Sequence, residues 1–177
     1  MSLRRVSDIY QLPVLDLETG EMLGQILSWV VTPLQQRVVA FLLTKPTLWH
    51  KAKVLVPADI VEYDPKMIVV RNYECVIQPS EVVGLPELLD ERMEITGFRA
   101  ETETGKLLGT VTDFVFETVG STIQQYCVKP PTLMGALQSE WILPAGKVVK
   151  IEKHRLVFAD NILSATKLAA RQQTQTI

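Results

Sequence analysis

The sequence predicts a mainly β protein made of two small barrels in tandem, each followed by a short helix. Three observations carry that expectation. The octapeptide TGEMLGQI at residues 19–26 returns as TGKLLGTV at residues 104–111, an offset of 85. Further matches follow in the same order along both halves. The runs between them are short, rich in β-branched and aromatic residues, and separated by Gly and Pro turns, as in small barrels and sandwiches.

The repeat sets the element order. Thr19, Gly20, Leu23 and Gly24 match Thr104, Gly105, Leu108 and Gly109, and Ile26, Trp29 and Val30 fall on Val111, Phe114 and Val115. Pro46-Thr47-Leu48 matches Pro131-Thr132-Leu133 at the same offset. Val56-Pro57-Ala58 then meets Leu143-Pro144-Ala145, and residues 67–70 meet 155–158, with only loop lengths drifting. This is a tandem duplication. Two copies are too few for a solenoid, so each has to close on itself or share a core with the other.

Within a copy, the expected strands run over residues 15–18, 22–31 and 37–43 in the first half and 98–103, 107–116 and 122–128 in the second. Three short strands follow in each. Gly20 and Gly105 supply the positive φ of a tight turn. Gly24 and Gly109 lie inside strands, where a bulge or a close backbone approach calls for glycine. After the first copy, PSEVVGLPELLDERM predicts helix, with Ser80 as N-cap and Pro86 starting a further turn. After the second, NILSATKLAARQQ puts Ile162, Leu163 and Leu168 on one apolar stripe. The expected division is therefore a first repeat over 1–78, a helical connector over 79–96, a second repeat over 97–160 and a C-terminal helix with a frayed tail over 161–177.

Composition narrows the function. Net charge is −2 and the sequence pI is near 5.7, a poor footprint for gripping a polyanion. Residues 1–90 hold 8 basic and 11 acidic side chains, and residues 91–177 hold 10 and 9. Nucleic acid is therefore a disfavoured partner, and Lys147, Lys150, Lys153 and Arg155 read as a solvated strand rim. The longest apolar run, residues 38–43, is far shorter than the ~20 residues of a membrane span. The start, MSLRRVSDIY, has no apolar segment behind its arginines. A cytoplasmic chain is expected, with Cys75 and Cys127 as free thiols.

No pattern carries catalysis. His50 and His154 lie in loops and read as solvated. Glu101 and Glu103 are a pair on one strand face, which solvated strand edges carry routinely. Walker, Rossmann and triad spacings do not occur, so the expectation is a protein that is not an enzyme and holds no cofactor or metal. The two Pro-Thr-Leu loops are the candidate partner-binding surface. KPTLWHKAK offers Leu48 and Trp49, and PPTLMGALQS offers Leu133, Met134 and Leu137. Loops are mostly polar, so large apolar side chains there either contact a partner or fold back to plug a barrel end. Trp29 and Trp141, in strand patterns, are core or seam candidates.

The x-G-x-x-[LI]-G-x-[VI] turn, a following acidic residue and a late [VIL]-P-x-x-x-[VI] strand resemble the PRC-barrel family. The likeness covers about residues 12–72 and 97–160. The second copy carries Gly105, Leu108, Gly109, Val111, Asp113, Leu143-Pro144 and Val148. The first departs by placing Ser28 at the acidic position. The family includes the cytoplasmic part of the photosynthetic reaction-centre H subunit and the C-terminal part of the ribosome maturation factor RimM, neither of which uses the barrel as a catalyst. The resemblance implies an interaction or assembly module with a protein partner, bound peripherally to a photosynthetic membrane complex. The alternative is a ribosome-maturation, RNA-associated factor. Against it, residues 1–90 lack the H-G-x-x-G signature that opens RimM and carry a second PRC-like copy instead.

Overall fold

The computed structural model describes residues 2–44, 52–91, 94–131, 139–152 and 154–162. The chain divides into two units. The first is Met1–Glu94 together with Phe116–Ile123, and the second is Ile95–Val115 with Gln124–Ile177. The repeats are contiguous in sequence, whereas the first unit takes in a segment from the second repeat.

The first unit holds β1 (Leu3–Arg5), β2 (Pro13–Asp16), β3 (Met22–Gln25), β4 (Ser28–Thr32), β5 (Arg37–Thr44), β6 (Lys53–Leu55), β7 (Ile60–Tyr63), β8 (Ile68–Val70), β9 (Val76–Ile77) and α1 (Leu85–Glu91). β2 to β9 form two four-stranded sheets, in the orders β3-β2-β8-β7 and β4-β5-β6-β9. The residues expected as one strand over 22–31 make two strands, because the chain changes partner in between. Ile26, fully buried, exchanges backbone hydrogen bonds with Gln11 and Leu12, and the next amide, Leu27, donates to Leu42 at 2.8 Å.

The expected closed barrels are therefore corrected: among the described residues no ladder closes. In the first unit the partner switch at Ile26 and Leu27 splits the strands into two sheets. In the second unit β10 (Arg99–Thr102), β11 (Leu107–Glu117), β12 (Ile123–Lys129), β13 (Trp141–Pro144), β14 (Val148–Glu152) and β15 (Arg155–Phe158) form an open path, β13-β12-β11-β10-β15-β14.

The pairing pattern nonetheless recurs. β2 runs parallel to β8 with Val14 opposite Ile68 and Asp16 opposite Val70, and β10 runs parallel to β15 with Ala100 opposite Leu156 and Thr102 opposite Phe158. β7 and β8 pair antiparallel with a bulge between Ile60 and Glu62, and β14 and β15 with a bulge between Val148 and Lys150. Each bulge holds an exposed valine, Val61 or Val149. A bulged edge strand resists pairing with another chain.

The β4-β5-β6-β9 sheet carries buried side chains on both faces. In the first unit Phe41 and Tyr63 meet the ring of Phe116 at 6.2 and 6.0 Å. On the other face of the β4-β5-β6-β9 sheet, Val30, Ala40 and Val54 are buried with Leu85 of α1, and Ile77, Leu88 and Leu89 pack against them. Before α1, Pro79–Glu81 forms a 3-10 turn, whose cap is Gln78 and not Ser80: the Gln78 amide donates to Glu81 Oε1 at 2.8 Å. Pro86 stands second in α1, where its missing N–H is no loss. In the second unit Tyr126 meets Phe158 edge to face at 6.1 Å. No helix among the described residues is long and apolar enough to cross a membrane.

Candidate functional site

The two hairpins that carry the octapeptide differ in how they are held. In the first, buried Asp16 accepts from the amides of Glu18 and Thr19 at 2.8 and 3.0 Å, and Gly20, at φ +73°, donates to the Asp16 carbonyl. In the second, Gly105 stands at φ +81° and Thr102 and Asp160 do the holding. Asp160 accepts from the Thr104 amide and hydroxyl at 3.0 and 2.9 Å. Those two bonds hold the Asp160 carboxyl below its ordinary value.

Behind each turn the ladder skips a residue. Val14 faces Gly24 and Leu15 faces Met22, and correspondingly Ala100 faces Gly109 and Glu101 faces Leu107. The second glycine of the octapeptide thus stands at a bulge in both copies, but against different neighbours. A Cβ on Gly24 would meet the side chain of Leu43 at 3.3 Å. A Cβ on Gly109, at φ +145°, would lie 2.1 Å from the carbonyl oxygen of Lys129.

Gly109 and Lys129 line a groove of about 510 Å³ in the second unit, together with Arg99, Leu107, Thr110, Thr112, Pro130 and Pro131. Leu107 is 40% exposed there. Thr112 crosses one side, donating to the Cys127 carbonyl at 3.2 Å. The groove offers an apolar contact, hydroxyls and two cationic side chains beside the start of the second Pro-Thr-Leu loop.

The residues singled out for partner contact, Leu48, Trp49, Leu133, Met134 and Leu137, lie outside the described residues, as does His50. Arg99, Leu107 and Lys129 were not anticipated. The signal available for them was the repeated glycine itself, since a backbone that tolerates only glycine often borders a site of close approach.

Carboxylates that look chemical are structural. Glu101, read from the sequence as solvated, is buried and pairs with Arg155 at 2.9 Å and with Arg99 at 3.2 Å. The correction has a physical cause: the parallel β10–β15 ladder sets Arg155 opposite Arg99, which flanks Glu101 with two guanidinium groups. Glu117 accepts from the amides of Gly120 and Val119 at 2.6 and 2.7 Å, which hold its carboxyl below the ordinary value. Asp113 is buried and accepts from the Phe114 amide at 2.8 Å. His154 is exposed, at φ +64°, with its ring edge-on to Phe98. Cys127 is buried and Cys75 is partly exposed, both as free thiols. Among the described residues no cluster of His, Cys, Asp and Glu has the arrangement of a metal site.

No curated protein matches the chain at a significant level. The family match falls on the first copy, although the second carries the fuller set of motif residues. Residues 1–74 match the family model of the PRC-barrel domain.

Proposed function

We propose that this protein is a non-catalytic interaction module made of two PRC-type domains, and that it holds a partner polypeptide at the groove beside Gly109. The groove carries the reading: Gly109 and Leu107 line it together with Arg99, Lys129 and the Pro130-Pro131 pair. Support for a second PRC-type domain comes from the parallel β2–β8 ladder, which recurs in the same register as β10–β15. Support for a non-catalytic role comes from Glu101, Glu117 and Asp160, each engaged by arginines or turn amides. The family likeness favours an assembly factor bound peripherally to a photosynthetic membrane complex, with the Pro-Thr-Leu loops adding contacts.

The test is capture by the tagged full chain from membranes of the native organism, with and without detergent. Membrane-complex subunits should be retained by the wild type and lost with Leu107→Ser/Lys129→Ala at unchanged melting temperature. Equal capture by the double variant would remove the groove from the reading. Tight, salt-sensitive binding of a 16S rRNA fragment would overturn the module in favour of the ribosomal alternative.

A further inference from the structure

The segment that the first unit takes from the second repeat, Phe116–Ile123, is the tip of the β11–β12 hairpin. The chain enters it from Val115 and leaves it at Gln124, both residues of the second unit. The tip holds its own shape. The Glu117 carboxylate accepts from the Val119 and Gly120 amides, and the Glu117 amide donates to the Thr122 carbonyl at 2.9 Å.

Its seat in the first unit is made of backbone bonds and one ring. Val38 donates to the Ser121 carbonyl at 2.9 Å and Ile123 donates to the Gln36 carbonyl at 2.7 Å, on either side of the bridged pair Arg37 and Thr122. The Thr118 amide and hydroxyl donate to the Ser2 carbonyl at 3.0 and 3.2 Å. Phe116, fully buried, meets the rings of Phe41 and Tyr63. Val119, at the apex, stays 82% exposed, so the tip is gripped along its flanks. At the offset of 85 the first repeat has Val31 in place of Phe116, so only the second hairpin carries the ring.

We infer that this seat also takes the tip of a second copy of the chain, giving a two-fold dimer in which each first unit is completed by the other chain's residues 116–123. The inference goes beyond the groove and does not depend on it. A tip supplied by another copy makes the same bonds as the chain's own, so exchange forfeits no contact and costs only the association. The covalent path favours it too. α1 ends at Glu91 and the second unit begins at Ile95, so three residues join them. So short a connector has little slack, and short hinges are where exchange competes with closure within one chain.

Arg37 and Thr122 provide the test. Both are exposed, and they stand opposite each other without a mutual hydrogen bond, the cross-strand arrangement in which Cα atoms come closest. Two full-length chains are made, one with Arg37→Cys and one with Thr122→Cys. Both also carry Cys75→Ser, which removes the partly exposed native thiol. Unfolded together, refolded at high concentration and oxidised with glutathione disulfide, they should give a heterodimer linked through the two introduced thiols. The linked fraction should rise with protein concentration during refolding, and should be lost when the chains are refolded separately and then mixed. One chain carrying both changes, refolded dilute, should close its disulfide internally. Internal closure with no link between chains at any concentration would overturn the inference. So would links between like variants alone, which set the hairpins side by side, or failure of the double variant to close, which would remove the seat itself.

Discussion

Gly109 and Lys129 are in backbone contact: a methyl group on the glycine would overlap the lysine carbonyl at 2.1 Å. Nothing nearby is a flexible side chain that can swing away, since the next atoms are the Lys129 carbonyl carbon and the Pro130 Cα. Gly109→Ala should therefore destabilise by ~3 kcal/mol or more, combining overlap with a φ that alanine avoids. Gly24→Ala, which meets only Leu43 at 3.3 Å, should cost about 1 kcal/mol. Gly105→Ala has open space around its Cβ and should cost ~1 kcal/mol through φ alone. Melting curves of the three variants check the order, and equal losses at Gly24 and Gly109 would refute it.

A double-mutant cycle on Glu101 and Arg155 should give a coupling of about 1 kcal/mol. The carboxylate is buried, but the Arg155 side chain is 48% exposed, which keeps the figure well below that of a fully buried pair. Glu101→Gln should be milder than Glu101→Leu, which removes the acceptor of Arg99 and leaves Arg155 with Glu152 alone. Independent effects of the two single changes in chemical denaturation would show that the pair is ornamental.

Stability should fall on acidification, most steeply below the ordinary carboxylate range. Glu117 is held low by the Gly120 and Val119 amides, Asp160 by Thr104, and Glu152 first by Lys150 and also by Arg155. A lowered folded-state value means stabilisation that is present above the unfolded value and is lost as pH falls through the folded one. Glu117→Gln should flatten this acid limb. On the alkaline side, burial raises the phenols of Tyr63 and Tyr126 above the ordinary 10.0. Their contribution is present below that value and is lost as pH rises past it. Melting temperature followed from acid to alkali checks both limbs.

Tyr63→Phe should be close to neutral at pH 7, within ~0.5 kcal/mol. Its hydroxyl is buried without a hydrogen-bond partner among the described residues, so removing it relieves an unsatisfied group while the ring keeps its contact with Phe116. A loss above ~2 kcal/mol would reveal a hydrogen bond that the ring position alone does not indicate.

Much of the local structure was legible in the residues. Thr-Gly followed by an aliphatic and a second glycine announced a turn and an in-strand irregularity twice, and Val-Pro and Leu-Pro marked the late strands. These signals work because they act over a few residues of backbone. Long-range consequences were not legible. The burial of Glu101 depends on Arg155 arriving through a parallel ladder, and two carboxylates on a strand look the same whether or not a guanidinium comes to meet them. The change of partner at Ile26 and Leu27 was hidden for a similar reason: a continuous apolar run does not say which neighbour each half will pair with. Of the candidate contact residues, the groove side chains Leu107 and Lys129 carry no signature of their own and are marked only by the glycine between them.

Phe116 belongs to the first unit although it lies beyond that unit's main segment. During synthesis, residues 1–94 therefore emerge without the ring that Phe41 and Tyr63 pack against. At ~5–20 residues per second, about 1.5–6 s of translation separates residue 94 from residue 123. Over that interval Phe41 and Tyr63 lack the ring they pack against in the finished fold. The order of manufacture and the order of completion are thus different in this protein: its first-made half waits on its second to finish folding.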